Sequence, residues 1–186
     1  MNRIKRLREI RDDIQGMQTA VRILDEAWKA RQAQTNLDRS RLAEIESIQT
    51  AKRLIEADLQ VEADDLVSLC LHGNMDDCHS ASFILRSLNL EKDLEKVTSE
   101  LARRVTDFGP GMDTTSADLL AKDAIEKLDW IDWEKAKIAK LYLSELAGRE
   151  AQSDGNYTVR NRLQTINTVN LRSDPPVNVM VIVPRP

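Results

Sequence analysis

Apolar residues recur in alternating steps of three and four through the N-terminal stretch 1–30, at Leu7, Ile10, Ile14, Met17, Val21, Leu24 and Trp28. This is the a/d spacing of a coiled-coil seam, held over about three heptads. One helix cannot bury such a stripe alone, so the pattern demands a partner helix, from the same chain or from another. The following segment KARQAQTNLDRS, residues 29–40, loses the apolar seam without a glycine or proline. Thr35, Asn36 or Asp38 can cap a second helix there and fold the chain into an αα-hairpin. Leu42, Ile45, Ile48, Leu54 or Ile55, and Leu59 then supply the second stripe. The hairpin is favoured because it buries both stripes in one chain; a rod running through to His72 is the alternative.

Composition agrees with a helical rod or bundle. The chain has 186 residues, 41% apolar and 31% charged, with only 4% aromatic residues and 6 glycines, which suits helices better than an α/β enzyme. A net charge of −4 argues against bulk charge-driven binding to nucleic acid or membrane, and leaves room for a local basic patch. The charged, amphipathic N-terminus is not a signal peptide, and no run approaches the ~18 apolar residues of a membrane helix. Without a secretory framework, the two cysteines read as thiols in a reducing compartment. A soluble, cytoplasmic protein with no membrane partner is expected.

Charge is distributed unevenly. Arg3, Lys5, Arg6, Arg8 and Arg11 are opposed only by Glu9 among the first eleven residues. One reading is a phosphate-contacting arm for DNA. The other, favoured because no aromatics interleave and Asp12 and Asp13 follow directly, is a solvated face flanking the seam. Between Arg53 and Arg86 there is no Lys or Arg, while Glu56, Asp58, Glu62, Asp64, Asp65, Asp76 and Asp77 accumulate. A basic start and an acidic middle favour head-to-side association of subunits or a clamp within one chain.

The segment CLHGNMDDCH, residues 70–79, holds both cysteines and both histidines. Cys70, His72, Cys78 and His79 are the ligand types of a tetrahedral zinc site, but their spacing departs from the usual paired arrangements. Cys70 on the stripe Leu66, Val67, Leu69, Leu71 reads more simply as a buried free cysteine. No metal or other cofactor is expected. Gly73 and Asn74 end one helix, and Asp76 or Asp77 can cap the next. That helix carries Phe83, Ile84, Leu85 and Leu88, kinks near Asn89, and runs on through Leu94, Val97, Leu101 and Val105. A helix-turn-helix reading is weak, since only Arg86 and Asn89 offer base-reading side chains.

The run Asp107-Phe108-Gly109-Pro110-Gly111 is the clearest boundary, and it lacks the Lys and Ser/Thr of a phosphate loop. The expected organisation is a helical body over 1–106, a linker over 107–114, a second helical segment over 115–148 and a tail over 149–186. Thr115 and Asp118 resemble a capping box. The helix they open carries Leu119, Leu120, Ala124, Ile125, Leu128 and Ile131, and breaks at Asp132, which caps a further helix that Gly148 stops. Trp130 and Trp133 read as core anchors more readily than as a stacking platform, given Asp129, Asp132 and Glu134 beside them.

The tail changes character. From Ser153 onward lysine disappears and β-formers dominate: Tyr157, Val159 and Leu163 alternate, then Ile166, Val169 and Leu171 follow with a slip. After Asp174-Pro175-Pro176, the residues Val177, Val179, Val181 and Val183 line one face of VNVMVIV. An apolar strand of this kind needs cover, and is expected to pair with a sheet from another subunit or protein.

The fold expected is therefore mainly α, a helical hairpin or bundle with coiled-coil-like N-terminal helices followed by a short C-terminal β tail. The order of elements, helices and then a β tail from Tyr157 to Val183, is similar in outline to phage small terminase subunits and helical virion connector proteins. That likeness rests on element order alone, and it implies a virion-associated location and a role in assembly or DNA packaging. The expected function is a non-enzymatic structural protein that homo-oligomerises or co-assembles with another assembly protein. The alternatives are a DNA-binding oligomer using residues 3–11 and a metal-binding protein using residues 70–79. No nucleotide fingerprint, nucleophile elbow or H-E-x-x-H motif is present.

Overall fold

The computed structural model describes residues 3–33, 39–107, 114–150 and 158–172. Seven α-helices run in chain order among these residues: α1 (Arg3–Gln32), α2 (Arg39–His72), α3 (Met75–Ser87), α4 (Glu91–Thr106), α5 (Thr114–Ile131), α6 (Trp133–Glu150) and α7 (Thr158–Asn167). No strand occurs among them. The chain divides into two compact units, 1–96 and 97–186, and the division falls within α4, ahead of the Gly-Pro-Gly run. That run lies outside the described residues.

In the first unit α1 packs along α2, and α2 packs on α3. The ion pairs between α1 and α2 give the direction: Arg6 faces Glu62 and Asp65, Asp25 faces Lys52, and Arg31 faces Glu44. Numbers rise on one helix as they fall on the other, so the two form the antiparallel hairpin that the paired stripes require. Leu7, Ile10 and Ile14 of α1 are buried, as are Ala63, Leu66 and Cys70 of α2. On the second stripe Ile45, Ile48, Ile55 and Leu59 are half-buried, whereas Leu42 and Leu54 face outward.

The turn after α2 is built by local chemistry. Asn74 caps α3: its side chain accepts from the Asp77 N–H, while the Asp77 carboxylate accepts from the Asn74 N–H. This reciprocal capping box assigns the cap to Asn74 rather than to Asp76 or Asp77, with Asp77 as its third-position partner. The helix does not kink at Asn89 and continue; it stops. Asn89 takes a left-handed φ of 55°, the Leu90 N–H reaches back to the Leu85 carbonyl, and the Asn89 N–H reaches the Arg86 carbonyl. This is a Schellman ending with asparagine in the position usually held by glycine.

In the second unit α5, α6 and α7 pack against one another. Val97, Leu101 and Val105 of α4 are fully buried, and Lys135 of α6 donates to Thr98 Oγ1 of α4 at 2.7 Å. Asp132 separates α5 from α6 and accepts from the Lys135 N–H at 3.0 Å, the expected break and cap. Two expectations fail here. Asp118 does not serve a capping box but pairs with Arg162, and α6 runs through Gly148 to Glu150.

The strand reading is also overturned over residues 158–171, because 158–167 is helical and no strand follows it up to 171; Tyr157 lies outside the described residues. Val159, Arg162, Leu163 and Ile166 recur at helical spacing, and Arg162, Ile166 and Val169 are buried. Packing of this stripe on α5 and α6 outweighs the β preference of its Thr, Val and Ile residues. Val177, Val179, Val181 and Val183 lie outside the described residues.

Candidate functional site

The first half of the N-terminal seam is occupied by its own chain. Leu7, Ile10 and Ile14 are at most 8% exposed, while Met17, Val21, Leu24 and Trp28, towards the C-terminal end of α1, are half-buried. The Trp28 indole Nε1 is buried with no hydrogen-bond partner among the described residues. It lies in a cleft of about 130 Å³ with Asp25, Ile48, Gln49 and Lys52. Lys52 donates to Asp25 at 2.6 Å, and this hydrogen bond raises the ammonium pKa above its ordinary value.

Three of the basic N-terminal residues, Lys5, Arg6 and Arg11, are drawn into pairs with acids. Lys5 faces Glu9 at 3.6 Å, Arg11 pairs with Asp12 at 2.7 Å, and Arg6 lies 3.6 Å from Asp65 and 3.8 Å from Glu62. The Arg6 contacts form a clamp within one chain between the basic start and the acidic middle. Arg8 is exposed, and Arg3 opens α1. A groove of about 560 Å³ beside this region is lined by Asp12, Asp13, Gly16, Met17, Asp58, Val61 and Glu62. Its carboxylates repel phosphate, so the surface next to the basic residues disfavours a nucleic-acid backbone.

The cysteine and histidine cluster is dispersed by the turn. Cys70 and Cys78 are buried in the core and are not joined in a disulfide, and the Cys70 thiol donates to the Cys78 carbonyl at 3.9 Å. His72 is exposed at the end of α2, and His79 is half-buried on α3. Among the described residues no group of three or more His, Cys, Asp or Glu is arranged to hold a metal ion.

Trp130 and Trp133 each carry a cation on one face. The Arg172 guanidinium lies 3.8 Å from the Trp130 ring centre, and the Lys137 ammonium 3.9 Å from that of Trp133. Arg172 is further held by Asp129, which accepts from its backbone N–H at 3.1 Å. The Arg172 contacts attach the segment after α7 to the end of α5, whereas the Lys137 contact lies within α6.

The surface feature that sequence reasoning missed is on α6. This helix is apolar on two opposite faces. Ala136, Ala139, Leu143 and Ala147 are buried, whereas Ile138 and Leu141 are each 65% exposed and Tyr142 is 50% exposed. The signal was present as two interleaved stripes at helical spacing, which together read as one uniformly mixed helix. Phe83 on α3, and Leu54 and Val61 on α2, are further exposed apolar residues, at 74%, 64% and 63%.

These features define a mainly α-helical fold with apolar residues left on outer helix faces. Among the described residues no helix is long and apolar enough to cross a membrane. The chain has no significant match among family models, curated proteins or solved structures.

Proposed function

We propose that this chain is a non-enzymatic assembly protein that homo-oligomerises or co-assembles through helix faces. The observation that carries the reading is the outer face of α6, where Ile138, Leu141 and Tyr142 sit at helical spacing with half or more of their surface open to solvent. Single exposed apolar residues are ordinary, but a helix that presents a second apolar stripe away from its own core is what a partner helix covers. The N-terminal seam is a secondary surface, since its first half is already filled by α2. Helicity at 158–167 removes part of the tail on which the likeness to terminase subunits and connectors rested, so that likeness adds nothing here.

Native mass in solution, followed over a wide range of protein concentration at low and high salt, tests the proposal. A discrete multimer that persists at high salt is expected, because apolar seams are not screened. A monomer under every condition sinks self-assembly. The same samples titrated with duplex DNA test the alternative: steeply salt-dependent binding, lost when Arg3, Lys5, Arg6 and Arg8 become Gln, would replace this reading with a DNA-binding one.

A further inference from the structure

The outer face of α6 also carries a charge pattern that selects its partner. Residues on a helix advance by about 100° each, so Glu134, Ile138, Leu141, Glu145 and Arg149 stay within an arc of about 80°, with Tyr142 at its edge. All except Ile138, Leu141 and Tyr142 are charged, and every one of them is exposed. Glu134 and Arg149 make no ion pair among the described residues. The apolar residues occupy the middle of the stripe, the acid one end and the base the other.

We infer that α6 is an isologous interface, on which a second copy of this chain docks antiparallel about a two-fold axis between Leu141 and Tyr142. In that register Leu141 of each copy meets Tyr142 of its partner, and Glu134 of each meets the partner's Arg149 at both ends of the contact. Ile138 lies opposite Glu145, whose methylenes extend the apolar strip while its carboxylate sits one turn before its own Arg149. The parallel arrangement places Glu134 on Glu134, Glu145 on Glu145 and Arg149 on Arg149, three repulsive pairings. Self-complementarity of this kind is the requirement of a two-fold interface. It commits the occupant to another copy of the chain rather than to an unrelated helix.

The inference rests on the self-assembly reading above, and the test separates the two. Sedimentation equilibrium on the full chain compares the wild type with Glu134→Lys, Arg149→Glu, the double exchange Glu134→Lys/Arg149→Glu, and Leu141→Ser. All of these positions are solvent-exposed, so circular dichroism should show an unchanged fold. Each single charge reversal is expected to weaken the dimer about tenfold, since the two-fold axis repeats it. The double exchange restores the antiparallel pairing and most of the affinity. Leu141→Ser, which removes the centre of the contact from both copies, is expected to weaken it about a hundredfold. A wild-type multimer unaffected by all four variants overturns the α6 interface and leaves self-assembly standing on another surface. A wild-type monomer overturns both. Failure of the double exchange to rescue overturns the antiparallel register.

Discussion

Arg162 Nε donates to Asp118 Oδ1 across 2.9 Å, and the two side chains are only 3% and 9% exposed. The same guanidinium donates through Nη1 to the Asp107 carbonyl just beyond α4. One buried cation therefore holds α7 against α5 and against the end of α4, all within the second unit. Its partner is distant in sequence, so the pair has no local signature.

Arg162→Met is expected to cost about 3–5 kcal/mol, because it leaves the Asp118 carboxylate buried without its counter-charge. The double change Arg162→Met/Asp118→Leu should recover most of the loss, since well-packed apolar residues often replace a buried pair without penalty. Urea denaturation of the three proteins checks this. An Arg162→Met variant as stable as the wild type would mean that the pair does not hold α7.

The elements legible in the sequence were those set by short-range rules. The seam from Leu7 to Ile14, the stop at Gly73 and the cap at Asp132 each follow from periodicity or from one residue's hydrogen-bonding habits. Helix α7 was not legible, because Thr158, Val159, Thr165 and Ile166 favour strands and Arg162 is held by Asp118 of α5 and the Asp107 carbonyl just beyond α4. The candidate interface was half legible. Ile138, Leu141 and Tyr142 stood in plain view, but only the fold shows that Ala136, Ala139 and Leu143 take the core and leave the other stripe outside.

Gly73→Ala is expected to destabilise the first unit by about 1–3 kcal/mol through overpacking. A methyl group at this position would lie 2.4 Å from the Leu69 carbonyl oxygen and 2.6 Å from Asp77 Cβ. Relief requires opening the α2 terminus or the capping box between Asn74 and Asp77. Thermal melting followed by helicity would show the loss, and an unchanged midpoint would place the turn elsewhere.

Asn89→Gly should act in the opposite direction. The left-handed φ of 55° at this residue is one that glycine adopts without steric cost. Because the Schellman hydrogen bonds are made by the backbone, they survive the change. Relief of the left-handed conformation, about 1–2 kcal/mol for an L side chain, exceeds the extra unfolded-state freedom of glycine, about 0.5–1 kcal/mol. A net gain of about 0.5–1 kcal/mol is expected, visible as a higher denaturant midpoint with unchanged slope. Asn89→Val, which is poorly accommodated there, should lower it.

Acid should weaken the second unit partly through Glu100. Arg103 donates to both of its carboxylate oxygens, at 2.8 and 2.9 Å, and Arg104 donates at 3.1 Å. The Arg103 hydrogen bonds, with those of Arg104, lower the Glu100 pKa from 4.5 to about 2, against a smaller opposing effect of burial. A carboxylate depressed in the folded state contributes stability above its unfolded value and loses it as pH falls through the folded one. The contribution of Glu100 is thus present above about pH 4.5 and fades toward pH 2. The difference in stability between wild type and Glu100→Gln, measured by denaturation across that range, should shrink as pH drops. A difference that stays constant would mean the pair is not formed.

Ile14→Ala tests whether the N-terminal seam belongs to its own chain. Ile14 is fully buried on α1, whose packing partners are α2 and α3 of the same chain. Removing a buried isoleucine side chain down to its first carbon costs about 2–5 kcal/mol, the spread reflecting how far the surroundings collapse. If the seam closes within the chain, that loss in the first unit is independent of protein concentration, and native mass is unchanged. A seam closed between chains behaves differently: the variant would shift the multimer toward monomer, and its stability would rise with concentration by mass action. The two cases separate in one set of melts, because only the second links the folding of α1 to the presence of another molecule.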